Sequence, residues 1–114
     1  MIQRFETGPR MSEAVVHNGT VYLAGQVADD ASADIAGQTR QILDAIDALL
    51  ARTGSDKSKI LRAQIYLVDL SEFAAMNAVW EQWVVPGHTP ARATVQAALA
   101  NPQWKIEIVV TAAL

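Results

Sequence analysis

Apolar and polar residues alternate along most of the last quarter of the chain. In the run 104–113, Trp104, Ile106, Ile108, Val110 and Ala112 fall on one face, and Lys105, Glu107, Val109, Thr111 and Ala113 on the other. A period of two is that of a β-strand. The run 89–99 alternates in the same way, with Arg92, Thr94 and Gln96 opposite Ala93, Val95, Ala97 and Leu99. Asn101-Pro102 between the two runs reads as a turn, so the pattern alone predicts a hairpin.

Upstream, Ile2–Glu6 predicts a short strand broken by Gly8-Pro9, and the runs 14–17 and 20–26 a hairpin. Asn18-Gly19 between those runs suits the positive φ angles of a type I′ turn. Gly25 either ends the second strand or permits a close backbone approach. From about Ile35 to Arg52 the period changes to that of a helix, with Ile35, Ile42, Leu43, Ile46, Leu49 and Leu50 on one stripe. Ser32 or Asp34 is its cap, and Thr53-Gly54 its stop. Ile60–Asp69 predicts a strand with Leu61, Ala63, Ile65 and Leu67 on one face. A second helix, capped by Ser71, runs from Glu72 to about Val84 and is ended by Pro86-Gly87. Its stripe is Phe73, Met76, Asn77, Trp80, Trp83 and Val84.

Two amphipathic helices can cover only one face of the resulting sheet. The other face holds Tyr66, Val68, Val109 and Ala113, too apolar to stand in water, so a partner subunit is expected over it. A chain of 114 residues, 51% hydrophobic and 18% charged, has room for one core and is read as a single domain, 1–114. With a net charge of −3 and no basic block, no nucleic-acid surface is expected. The absence of cysteine removes disulfides, thiol nucleophiles and cysteine metal sites. No run reaches membrane length and no signal peptide is evident, so a cytoplasmic protein is expected.

Against this background Arg92 and Glu107 stand out as strong charges on the final two strands. The residues around them, Thr89-Pro90-Ala91-Arg92-Ala93-Thr94-Val95 and Trp104-Lys105-Ile106-Glu107-Ile108, resemble the RidA/YjgF family of enamine/imine deaminases. Further matches are Val21-Tyr22-Leu23-Ala24-Gly25-Gln26, the run 65–70 and Phe73-Ala74-Ala75-Met76-Asn77, so the resemblance spans the chain. It is similar to the short YoaB-like members through Trp83-Val84-Val85, Val95-Gln96-Ala97 and Asn101-Pro102.

The resemblance implies a chorismate-mutase-like α+β fold, a mixed six-stranded sheet with two helices packed on one face. It also implies a homotrimer around a central barrel, with a cleft at each subunit interface. The last strand would then insert between the strands near residues 20–25 and 60–69, which replaces the hairpin. Arg92 and Glu107 would stand two strand spacings apart, about 10 Å, and converge on a ligand from one shared face.

The resemblance further implies that Arg92 clamps a substrate carboxylate and that Glu107 positions the attacking water. A guanidinium is suited to the first role by its two parallel donors. The bland alternatives are ion pairs, of Arg92 with some acid and of Glu107 with Lys105 or Arg92. Asn77, Thr94, Tyr22, Gln96 and Met11 are the candidate substrate-binding residues, with Asn77 equally suited to a plain helix surface. Thr94 stands where many family members carry cysteine or serine. Met11 replaces a tyrosine of prototype members, and Ala24 a frequent serine. Trp80 and Trp83 read as core, and His17 and His88 have no metal-ligand spacing.

The implied activity is metal-free and cofactor-free hydrolysis of 2-imino acids of the 2-aminoacrylate type to 2-keto acids and ammonia. Its rival is a trimer that binds small keto or amino acids without turnover, which the departures at Met11 and Ala24 keep open. A ribonuclease activity has also been attached to the family. The acidic chain, without a basic–aromatic patch, argues against it here.

Overall fold

In the computed structural model, which describes residues 1–114, Asn18 and Gly19 both take positive φ, 50° and 76°. The tight turn they form joins β2 (Ala14–His17) to β3 (Thr20–Leu23) in the expected hairpin, and β1 (Gln3–Phe5) pairs antiparallel with β2. Next come α1 (Ile35–Thr53), β4 (Ile60–Leu67), α2 (Phe73–Trp83), β5 (Ala91–Gln96) and β6 (Ile106–Ala113). The six strands form one mixed sheet in the order β1-β2-β3-β6-β4-β5. This is the chorismate-mutase-like arrangement.

The last strand pairs antiparallel with both β3 and β4, so the hairpin suggested by the alternating pattern does not form. Alternation fixes which residues of a strand share a side and not which strand lies beside which. The crossover through α1 leaves a gap one strand wide between β3 and β4, and β6 fills it antiparallel to both. The shorter crossover through α2 sets β5 directly beside β4, in parallel.

All six residues of the α1 stripe are buried, with Ile42, Ile46 and Leu50 fully so. They meet Val21, Ile65, Ile108 and Val110 from the sheet and Met76, Val79 and Trp80 from α2 in one core. Asp34, not Ser32, caps α1: its carboxylate accepts the Gly37 amide at 2.8 Å. Gly54 closes the helix in the left-handed conformation at φ 93°. Replacing Asp34 with Ala is expected to cost about 1 kcal/mol. A lower denaturant midpoint at an unchanged slope would show it, and an unmoved midpoint would take the cap out of the account.

Three expectations are corrected. Asp69 takes the capping role assigned to Ser71: it accepts the Ser71 amide at 2.9 Å and opens a 3-10 turn at Leu70–Glu72, which delays α2 to Phe73. Leu61 is 54% exposed although Ala63, Ile65 and Leu67 are buried, because a bulge between Ile60 and Arg62 turns it out of the core. The strand also ends at Leu67, not Asp69. The sheet face away from the helices carries Tyr66, Val109 and Ala113, all half-buried, and Val68, which is exposed. No helix is long and apolar enough to cross a membrane.

Candidate active site

Register fixes the side of the sheet from which each candidate side chain projects. Arg92 stands beside Ala63, Thr94 beside Ile65 and Gln96 beside Leu67, and those three β4 residues are fully buried under the helices. Arg92, Thr94 and Gln96 therefore project on the helix-covered side. Glu107 stands beside Tyr66, and Tyr22 beside Thr111, on the uncovered side. The expectation that Arg92 and Glu107 share a face is thus corrected: within one chain they point in opposite directions.

The inversion lies in β5. Its more apolar row would ordinarily face the helices, yet Val95 is 44% exposed on the far side while the Thr94 hydroxyl is buried. As the edge strand, β5 has one free side, and its outward-facing Val95 is available to a further layer of protein.

The Arg92 guanidinium lies against two rings of α2, its Cζ 5.3 Å from the Trp80 ring centroid and 5.8 Å from that of Phe73. Both distances are within the range where a cation is drawn to an aromatic face. Phe73, Asn77 and Trp80 recur at helical spacing on α2, so Asn77 lies on the same face. Desolvation against this face pulls the Arg92 pKa below its usual value, while the charge of Glu81 opposes the shift. An arginine starts so high that it stays protonated. The ion pair within the chain is Arg52 with Glu6, at 2.8 Å, so Arg92 and Glu107 are both without the structural partners considered above.

Next to Arg92, the buried Thr94 hydroxyl has no hydrogen-bond partner. Leaving such a group unmet costs about 1–3 kcal/mol, which a ligand or second subunit could recover. Gln96 turns away: its amide donates to the Val68 carbonyl at 3.1 Å.

Glu107 forms the second cluster. Its carboxylate lies over Gly25, where a β-carbon would come within 2.8 Å of the Glu107 Cδ. Both readings of Gly25 are corrected: β3 ends earlier, at Leu23 and not Gln26, and what approaches the glycine is the Glu107 side chain, not another backbone. The segment is fixed against β6 by Gln26, which exchanges backbone hydrogen bonds with Ile108 at 2.9 and 3.1 Å. Tyr22 lies on the same side of the sheet and is half-exposed. Met11, also half-exposed, sits in the loop between β1 and β2, where its carbonyl accepts the Gly8 amide at 2.8 Å.

The candidates thus divide into two clusters: Arg92, Thr94 and Asn77 at the β5–α2 edge, and Glu107 and Tyr22 with Gly25 on the open face. No cavity of the isolated chain is lined by Arg92 or Glu107. Phe73 and Gln26 are contributors that sequence reasoning missed. The helical spacing of Phe73, Asn77 and Trp80 carried the signal for Phe73; for Gln26 the one signal was its place in the matching run Val21-Tyr22-Leu23-Ala24-Gly25-Gln26.

Comparison with known proteins gives a consistent picture. The family model described as Endoribonuclease L-PSP matches residues 1–114. The RutC family protein YoaB of Escherichia coli K12 is 49% identical over 113 residues, covering 99% of this chain and 98% of its own. A RutC family protein of Haemophilus ducreyi is 47% identical over 114 residues, covering 100% of this chain and 97% of its own. A crystal structure of a YjgF family member from Neisseria meningitidis superposes with a TM-score of 0.97 at 49% identity, covering 99% of this chain and 94% of that one.

Proposed function

The chain belongs to the family described as Endoribonuclease L-PSP, whose members also go by RutC, YjgF and RidA, and on that premise we propose that it hydrolyses reactive 2-imino acids at a site shared between subunits. The observation that carries the reading is Arg92: a cation held against two rings, free of any ion pair, beside an unmet hydroxyl. That combination is a receptor for a small carboxylate. Two parallel charge-assisted hydrogen bonds from the guanidinium would fix the substrate's orientation.

The assembly is a homotrimer in which the β5–α2 edge of one subunit faces the open sheet face of the next. Tyr22, Val68 and Val95 are 49%, 37% and 44% exposed in the single chain, apolar surface that such packing would cover. The cleft then holds Arg92, Thr94 and Asn77 from one subunit and Glu107, with Tyr22 and Met11, from its neighbour. Gln96, engaged with Val68, plays at most a peripheral part.

In the reaction, Glu107 orients a water against the C2 carbon of the imine. As the C–O bond forms, the C=N π electrons move to nitrogen, which takes a proton. The tetrahedral intermediate then expels ammonia and leaves the 2-keto acid. Glu107 can take the water's first proton and give it to that nitrogen, then carry the hydroxyl proton to the nitrogen as ammonia departs, so both protons of the water end on ammonia. Free imines of this kind hydrolyse unaided, so positioning and charge stabilisation suffice, with no covalent intermediate. The chemistry draws on water alone and calls for no metal or cofactor. The cytoplasm, where such imines arise beside pyridoxal-phosphate enzymes, is the compartment that suits this role.

The test generates the imine in situ with an amino-acid oxidase beside a semicarbazide trap. Wild-type protein is expected to suppress semicarbazone formation catalytically, and Arg92→Ala to lose that suppression. If wild-type protein binds keto acids yet suppresses nothing across small and large imines, the non-catalytic binding trimer is the better account. Sedimentation showing a stable monomer of 12.3 kDa would remove the shared cleft altogether.

A further inference from the structure

We infer that Gln26 is a positioning residue that holds the Gly25 peptide beneath Glu107 and, through Glu13, locks the loop carrying Met11 to the same strand; this rests on the reading of Glu107 as the group that orients water. Gln26 is 8% exposed, an unusual degree of burial for a polar side chain, and its amide is used within the chain. Its Nε2 donates to the Ala24 carbonyl at 3.0 Å and to the Glu13 Oε2 at 3.1 Å. Its main chain meanwhile makes the paired bonds to Ile108, the residue after Glu107. One residue therefore ties the Ala24–Gln26 segment into a closed bend and fastens that bend to β6 at the point where the Glu107 carboxylate rests on Gly25.

Glu13 extends the joint. Its carbonyl accepts the Ala24 amide at 2.9 Å, and its own amide donates to the Phe5 carbonyl at 3.0 Å. At the far end of the same loop, Glu6 takes a left-handed φ of 50° and pairs with Arg52 of α1 at 2.8 Å. The loop of Gly8 to Met11 is thus anchored by a carboxylate at each end. The anchor at Glu13 is the one that shares a partner with the Glu107 support. Displacing Gln26 would shift the Gly25 peptide, and with it the surface on which the carboxylate lies. A reacting group misplaced by about 1 Å can cost on the order of a hundredfold in rate. Arg92, on the edge strand β5 with β4 between it and β6, would be untouched.

The experiment compares Gln26→Leu, Glu13→Leu and Glu13→Gln with wild-type protein. Leucine deletes the amide at similar bulk, whereas glutamine at position 13 keeps an oxygen that can accept from Gln26. Each variant is checked for folding by circular dichroism and for assembly by sedimentation. The expected result for Gln26→Leu is a ten- to hundredfold lower kcat with KM within about twofold of wild type, because carboxylate binding is preserved. Glu13→Leu should follow in the same direction, and Glu13→Gln should recover kcat. A folded Gln26→Leu with unchanged kcat overturns the inference, as does a loss shared equally by Glu13→Leu and Glu13→Gln.

A second readout separates this inference from the function on which it rests. The amide of residue 24, bonded to the Glu13 carbonyl, and that of residue 26, bonded to the Ile108 carbonyl, should exchange with solvent faster in both leucine variants than in wild type and Glu13→Gln. If wild-type protein turns over no imine, the catalytic reading falls, and exchange at residues 24 and 26 still decides whether Gln26 holds the bend around Gly25. If exchange is the same in all four proteins, Gln26 holds nothing.

Discussion

Arg92→Ala and Glu107→Gln, each inactive by itself, are expected to recover imine turnover when unfolded together and refolded as a mixture. The prediction follows from register. Arg92 lies beside Ala63 on the helix-covered side and Glu107 beside Tyr66 on the other, so one chain cannot bring both to one ligand. If each cleft takes its arginine from one subunit and its carboxylate from the next, a random equal mixture has intact clefts wherever a Glu107→Gln subunit donates the arginine and an Arg92→Ala subunit donates the carboxylate. That is about a quarter of all clefts in a cyclic assembly. Turnover per chain should therefore return to about a quarter of wild type from singles at least a hundredfold lower, the scale of loss expected when a group that positions substrate or water is removed. A site built within one chain predicts no recovery, since no chain in the mixture has both residues. Mixing the separately folded variants is the control, because it reports whether subunits exchange without unfolding.

What the sequence made legible divides along the same line. The α1 stripe and the Asn18-Gly19 turn were readable because both are set by neighbouring residues: a helical period and two positive φ angles. Leu61 was misread because a bulge exists only when β4 meets β6, and pattern within one strand cannot register it. The placement of β6 was invisible to alternation, which favoured a hairpin across Asn101-Pro102; only family resemblance supplied the inserted strand. The candidate residues were found by type and motif, but their separation onto two faces was not. Alternation tells which residues of a strand share a side, and not which side the helices cover. In β5 the usual inference from polarity misleads, because Val95 faces out and Arg92 and Thr94 face the helix layer. A strand whose polarity is inverted relative to its own core fits the packing against a second subunit proposed above.

The other large effect expected is at Gly25, where activity and stability should move in opposite directions. No strained φ is present at this residue, so alanine fits the backbone. By narrowing the unfolded ensemble, Gly→Ala at a compatible site adds about 0.4–1 kcal/mol of stability. The new methyl group would nonetheless meet the Glu107 carboxylate, with Cδ only 2.8 Å away. The carboxylate is the free end of a flexible side chain, so it swings aside while the sheet stays in place. Gly25→Ala should therefore keep its fold, its assembly and its affinity for keto acids, which depends on Arg92. Its kcat should fall about a hundredfold, as for a reacting group displaced by about 1 Å. A stable, assembled Gly25→Ala protein with full turnover would show that the water need not be held where Glu107 now rests. The glycine would then be a packing accident, and some other group would have to supply the base. Loss of keto-acid binding along with turnover would instead place the carboxylate subsite, and not the water, beside Gly25.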